Sequence, residues 1–218
     1  MLSPAGWLSK MRCCLIAERG QCRGEIVDAV EAALRAGVRA FHLREKQATT
    51  RELYELARRL REATRRHDAL LLINDRADVA LAVEADGVHL GWQSLPVAEV
   101  RKIVGYERLI GKSAHNLEEA KRAAADGVDY ILVGPVFDTP SKSGLVPTLG
   151  IERLAAICRA VDLPIIGLGG IDSSNAGEVI EAGADGVAVI RAILAAGDPA
   201  EAAAQLLART KVQKLTET

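Results

Sequence analysis

Four times along the chain an alanine-rich stretch closes on a glycine–valine step and opens into a short aliphatic run. The phrases are Ala36-Gly37-Val38-Arg39-Ala40, Ala85-Asp86-Gly87-Val88-His89, Ala125-Asp126-Gly127-Val128-Asp129 and Ala184-Asp185-Gly186-Val187-Ala188. Alanine favours helix, and a glycine just past a helix end supplies the left-handed residue that many C-termini need. Each phrase therefore reads as a helix ending and a strand beginning. Val38, Val88, Val128 and Val187 lie 50, 40 and 59 residues apart. Such intervals hold one or two strand–helix units and are too uneven for a solenoid of identical repeats.

Filling the intervals predicts eight strands, near Cys13–Ala17, Ala40–Arg44, Leu70–Asn74, Gly87–Leu90, Leu109–Ser113, Tyr130–Val133, Ile165–Leu168 and Gly186–Val189. They are aliphatic and largely non-alternating, as expected of parallel strands covered by helices on both faces. Helix starts are marked by capping-box spacing at Thr49-x-x-Glu52 and Asn116-x-x-Glu119, and Pro96 suits a first helical turn. Eight β-then-α units predict a single (β/α)8 TIM-barrel domain over residues 1–218, its core about 12–210, with a frayed tail after about Lys211. A doubly wound open sheet is the alternative, because alternation alone does not show closure.

Composition narrows the partners. Lys and Arg number 28 against 29 Asp and Glu, a net charge of −1, so neither nucleic acid nor an anionic membrane would meet a strong positive field. Only 3% of residues are aromatic, which calls for an aliphatic core and makes Trp92, placed after the fourth strand, conspicuous. No 18-residue stretch is free of charge, so no transmembrane helix is expected. Cys13, Cys14, Cys22 and Cys158 form no metal or CxxC spacing; with no credible signal peptide they read as reduced thiols of a cytoplasmic protein. The sequence leaves open whether the barrel is a homo-oligomer.

In a TIM barrel the site lies at the carboxyl ends of the strands. On the second strand, a period of two puts His42, Arg44 and Lys46 on one face and Phe41 and Leu43 on the other. If the apolar pair packs under helices, three basic groups converge in the mouth and call for an anionic ligand; the simpler alternative is that Glu45 and other acids neutralise them. Asn74-Asp75 ends the third strand, where a carboxylate could hold Mg²⁺ or cap a helix. Ser113-Ala114-His115 ends the fifth, and an imidazole there suits a proton shuttle. The long segment after the sixth strand carries Thr139, Ser141 and Lys142. Gly169-Gly170 after the seventh strand, and Val189, Ile190 and Arg191 at and after the eighth, offer backbone amides and a helix start to a phosphate.

These phrases together resemble the thiamine phosphate synthase/TenI family. The carriers are His42-Leu43-Arg44-Glu45-Lys46, Asn74-Asp75-Arg76-Ala77-Asp78, Asp86-Gly87-Val88-His89-Leu90-Gly91, Ser113-Ala114-His115, the run from Gly134 to Lys142, and Gly169-Gly170-Ile171. The resemblance implies one of two reactions in thiamine biosynthesis. The synthase joins a pyrimidine diphosphate to a thiazole phosphate with Mg²⁺ and releases pyrophosphate. The TenI branch aromatises a thiazole carboxylate phosphate by moving a proton, without a metal cofactor. In the synthase pattern Gln stands at position 42, a second metal-binding Asp at 94 and Ser at 191; here they are His42, Ser94 and Arg191. These departures favour the tautomerase, with the synthase as alternative and a barrel that only binds a thiamine precursor as a third reading. In the favoured reading, His115 relays the proton, helped by Ser113 or His42. Arg44 and Lys46 pair with the carboxylate, Asn74, Thr139, Ser141 and Lys142 line the substrate, and residues 169, 170 and 189–191 hold the phosphate. In the synthase reading Asp75 holds Mg²⁺.

Overall fold

The structure, a computed structural model, describes residues 4–139 and 147–210. Eight parallel strands close into a barrel in sequence order. They are β1 (Cys13–Ala17), β2 (Ala40–Leu43), β3 (Leu70–Asn74), β4 (Gly87–Leu90), β5 (Leu109–Ala114), β6 (Tyr130–Val133), β7 (Ile165–Leu168) and β8 (Gly186–Val189). Closure is made by β8 pairing with β1, Cys14 opposite Ala188. The open-sheet alternative is thereby excluded. Among the described residues the helices are α1 (Pro4–Lys10), α2 (Ile26–Ala36), α3 (Thr50–Arg66), α4 (Ala77–Ala82), α5 (Val97–Val104), α6 (Leu117–Ala125), α7 (Ile151–Ala160), α8 (Ala176–Glu181), α9 (Arg191–Leu194) and α10 (Pro199–Arg209). The tail after Lys211 lies outside the described residues.

Both strand faces are apolar because both are covered. Phe41, Leu43, Leu71, Ile73, Val88, Ile110, Ile131 and Val187 pack outward beneath the helices. The alternate residues Cys14, Ile16, Ala40, Leu70, Leu72, Leu109, Tyr130, Leu132, Ile166 and Ala188 fill the interior. The interior cluster also takes in Trp7 and Met11, so α1 plugs the amino-terminal end, and the Trp7 and Tyr130 rings lie 6.2 Å apart. This plug extends the structured core upstream of the expected start near residue 12.

The recurring glycines divide into two kinds. Gly37 and Gly127 take the expected left-handed backbone, φ +110° and +83°. At the other two phrases that backbone falls three residues earlier, on Glu84 (φ +52°) and Gly183 (φ +101°). Gly87 and Gly186 instead begin strands, and a Cβ on either would meet a carbonyl oxygen, of Leu109 or Met11, at 2.3 Å. The aspartates beside the phrases tie neighbouring units together. Asp86, Asp129 and Asp185 accept from the N–H of Leu71 (2.8 Å), Ile110 (2.7 Å) and Ile165 (2.9 Å) on the preceding strands.

The capping box at Thr49 and Glu52 is complete. At Asn116 only half of one forms: Asn116 caps the Glu119 N–H at 2.9 Å, while the Glu119 carboxylate turns back to His115. Pro96 is itself the N-cap of α5, one residue ahead of the expected first turn.

Candidate active site

The inward residues of β2 to β5 change from apolar to polar as the strands approach their carboxyl ends. His42, the second-last residue of β2, is buried with its ring 4.7 Å from that of His89, the second-last residue of β4. His89 was not among the residues singled out from the sequence, although it occupies the same strand depth as His42. Its Nδ1 lies 3.1 Å from the Tyr130 hydroxyl and its Nε2 2.9 Å from Ser113 Oγ. Tyr130 occupies the space that a side chain on Gly111 would need, since a Cβ there would sit 2.0 Å from Tyr130 Cζ. A polar column thus climbs from Tyr130 through His89 to Ser113.

A second chain of contacts crosses β2, β3 and the turn after β4. Asn74 donates from Nδ2 to Asp75 Oδ2 at 2.7 Å. A carboxylate only accepts, so this bond fixes the amide and leaves Asn74 Oδ1 facing His42 Nε2 at 3.2 Å. His42 must then carry its proton on Nε2. Its Nδ1 is a buried acceptor with no hydrogen-bond partner. Burial, then the nearby Arg44 guanidinium, push the His42 pKa down to about 4 against the weaker pull of Asn74 and Asp75. Burial lowers His89 as well, helped by His42 and Arg44. Both rings are neutral at physiological pH.

This corrects the expected cluster of three cations. Phe41 and Leu43 do pack under the helices, but His42 is uncharged, Arg44 is paired with Glu18 at 2.9 Å, and Lys46 is exposed. The neutralising acid is Glu18, not Glu45, which engages Arg19.

Asp75 sits at φ +60°, a backbone that Asp tolerates better than most residues. Its Oδ1 accepts from the Ser94 hydroxyl, and Ser94 Oγ accepts in turn from the Gly91 N–H at 2.7 Å. The structure therefore brings Asp75 and Ser94 together across the ends of β3 and β4. Trp92, in the same turn, is 82% exposed and packs into no core.

His115 follows β5 and is anchored by Glu119, which accepts from its N–H at 2.8 Å and contacts Nδ1 at 3.0 Å. Burial tends to raise the Glu119 pKa, but the His115 contacts outweigh it and the pKa is lowered, so Glu119 is ionised and accepts the Nδ1 proton. Any proton exchanged through this ring would use Nε2.

At the far rim, the segment after β6 stays hydrogen-bonded beside β7: Val136 N–H bonds to Leu168 at 2.8 Å and Phe137 N–H to Gly169 at 3.0 Å. Gly169 (φ +101°) and Gly170 (φ +64°) fit against this segment with no room for a side chain. Among the described residues, the N–H groups of Gly169, Gly170, Arg191 and Ala192 take no backbone hydrogen bond. The helix after β8, α9, is a single turn, with Arg191 exposed at its start. Thr139 is half-buried at the end of the described loop, and Ser141 and Lys142 lie outside the described residues.

The closed parallel barrel and its polar carboxyl mouth together define a TIM-barrel protein with its functional groups gathered at one end. The profile of the TMP-TENI family, described as thiamine monophosphate synthase, matches residues 13–193. The chain belongs to that family, whose members serve thiamine biosynthesis. It is 47% identical to a thiamine-phosphate synthase of Chloroflexus aurantiacus over 199 residues, 91% of this chain and 92% of that one. It is 49% identical to one of Moorella thermoacetica over 180 residues, 83% and 86% of the two chains. The solved thiamine phosphate pyrophosphorylase of Pyrococcus furiosus superposes with a TM-score of 0.86 at 39% identity, covering 93% of this chain and 96% of that one. These relatives favour the synthase alternative over the tautomerase preferred from the sequence. Among the described residues no helix is long and apolar enough to cross a membrane.

Proposed function

We propose that the protein is a thiamine-phosphate synthase, joining a hydroxymethylpyrimidine diphosphate to a thiazole phosphate and releasing pyrophosphate. The observation that carries this reading is the 47% identity to a synthase across nine-tenths of both chains. The mouth is compatible with it. Mg²⁺ favours hard oxygen donors and is commonly held by one or two carboxylates together with substrate phosphates. Asp75, with the Ser94 hydroxyl beside it, offers one such carboxylate, so the donor set fits the ion. Bound there, Mg²⁺ would neutralise charge on the departing diphosphate.

The chain's own groups would do the rest. The amides of Gly169, Gly170, Arg191 and Ala192 would cradle the thiazole phosphate, with Val189 and Ile190 setting their position. Lys46, and Arg44 on its Glu18 brace, would face the diphosphate. The neutral His42 ring, held by Asn74, would shape the wall beneath the pyrimidine. In the bond change, the thiazole nitrogen lone pair forms the new bond to the methylene carbon as its bond to the diphosphate oxygen breaks. No proton needs to move, so His115 and Ser113 serve in this reading to shape the site rather than to relay.

The deciding experiment offers the purified protein both substrate sets with and without Mg²⁺. Pyrophosphate release that EDTA abolishes is expected. Metal-independent aromatisation of the thiazole carboxylate phosphate, without pyrophosphate release, would overturn the proposal.

A further inference from the structure

Resting on the synthase reading, we infer that this chain takes up its divalent cation only together with the diphosphate, and does not hold it as a resident ion. Among the described residues, every hydrogen-bond donor to the Asp75 carboxylate is neutral. Oδ1 receives the Ser94 hydroxyl and, at 3.5 Å, the Gly91 N–H, while Oδ2 receives the Asn74 amide at 2.7 Å. The carboxylate is thus satisfied by hydrogen bonds without a cation. Two facing carboxylates would repel each other and draw a divalent ion between them. Here the group facing Asp75 is a hydroxyl, which brings no charge. Among the described residues no group of three His, Cys, Asp or Glu side chains is placed to hold a metal.

A single carboxylate leaves a divalent ion undercompensated, and Mg²⁺ gives up its water shell reluctantly. The oxygens and charge that are lacking must come from the diphosphate. Ser94 is in this view a positioning residue: it turns Asp75 Oδ1 toward β4 while keeping the empty mouth free of a second charge. Metal and diphosphate are then thermodynamically coupled, each tightening the other by the same factor.

Equilibrium dialysis of the whole protein against Mn²⁺, inorganic pyrophosphate, or both, tests this without turnover, the protein-free chamber accounting for the chelate formed in solution. The wild type is expected to retain no Mn²⁺ at free concentrations where Ser94→Asp retains one equivalent. With pyrophosphate present it is expected to retain both, with retention at least about tenfold stronger than for either alone. Asp75→Asn, which tolerates the same left-handed backbone, should lose the metal-dependent part. Wild-type retention of Mn²⁺ alone, equal to that of Ser94→Asp, overturns the inference and leaves the synthase reading standing. Failure to retain pyrophosphate even with Mn²⁺ overturns both.

Discussion

Two neutral histidines in contact inside the barrel make the protein acid-sensitive in a window where few other groups titrate. His42 has a pKa of about 4 in the fold against 6.5 for a free side chain, and His89 is lowered too, both chiefly by burial. Between pH 6.5 and about 4 the unfolded chain binds a proton at position 42 that the folded chain refuses, and His89 acts in the same direction. Stability therefore rises with pH across this range and is lost as pH falls below about 6.5. His42 costs about 1.4 kcal/mol per pH unit, so lowering the pH from 6.5 to 5 costs about 2 kcal/mol from this ring, and His89 adds to the loss in the same direction. That is a large share of a typical folding free energy of about 5–15 kcal/mol. Urea unfolding at a series of pH values should show a slope shallower by about one proton in His42→Gln than in the wild type. Most carboxylates titrate below this window and leave the difference clean. An equally steep fall in the wild type and in His42→Gln would refute the assignment of His42 as a buried, neutral ring.

Three further outcomes follow from the same geometry. Gly170→Ala puts a Cβ 2.6 Å from the Asp138 carbonyl oxygen; the KM for thiazole phosphate should rise on the order of tenfold, and an unchanged KM would remove the Gly170 amide from the phosphate site. Trp7→Ala empties the barrel floor, where Trp7 is 6% exposed. It should cost about 3–5 kcal/mol, lowering Tm by about 6–20 °C in calorimetry, whereas a shift of a degree or two would mean that α1 is a loose appendage. Ser94→Asp should reduce the Mg²⁺ concentration giving half-maximal pyrophosphate release on the order of tenfold, and no change would place Ser94 away from the ion.

The barrel was legible because its signals are local. The strands from Leu70, Gly87, Tyr130, Ile165 and Gly186 keep their expected bounds, while β2 stops one residue early at Leu43 and β5 runs on to Ala114. Contacts distant in sequence were not legible. Nothing in the seven residues of α1 announces that Trp7 meets Tyr130, and nothing at Arg44 announces its pairing with Glu18. Counting basic residues on one strand face overlooks a countercharge arriving from the turn after β1 and the loss of charge on a buried ring. His89 was within reach: its inward parity and depth equal those of His42, but its place inside an otherwise apolar strand masked it. The pairing of Asp75 with Ser94 joins groups 19 residues apart. Only the adjacency of β3 and β4 makes them neighbours.

The missing side chain of Gly111 has a reach beyond its own strand. Its absence lets the Tyr130 ring stand against β5. From there the hydroxyl steadies His89, His89 leans on His42, and His42 holds the amide that clamps Asp75. One methyl group added midway along β5 would therefore be transmitted, ring by ring, to the carboxylate at the top. In this barrel the tuning of the mouth begins at an empty position inside the wall.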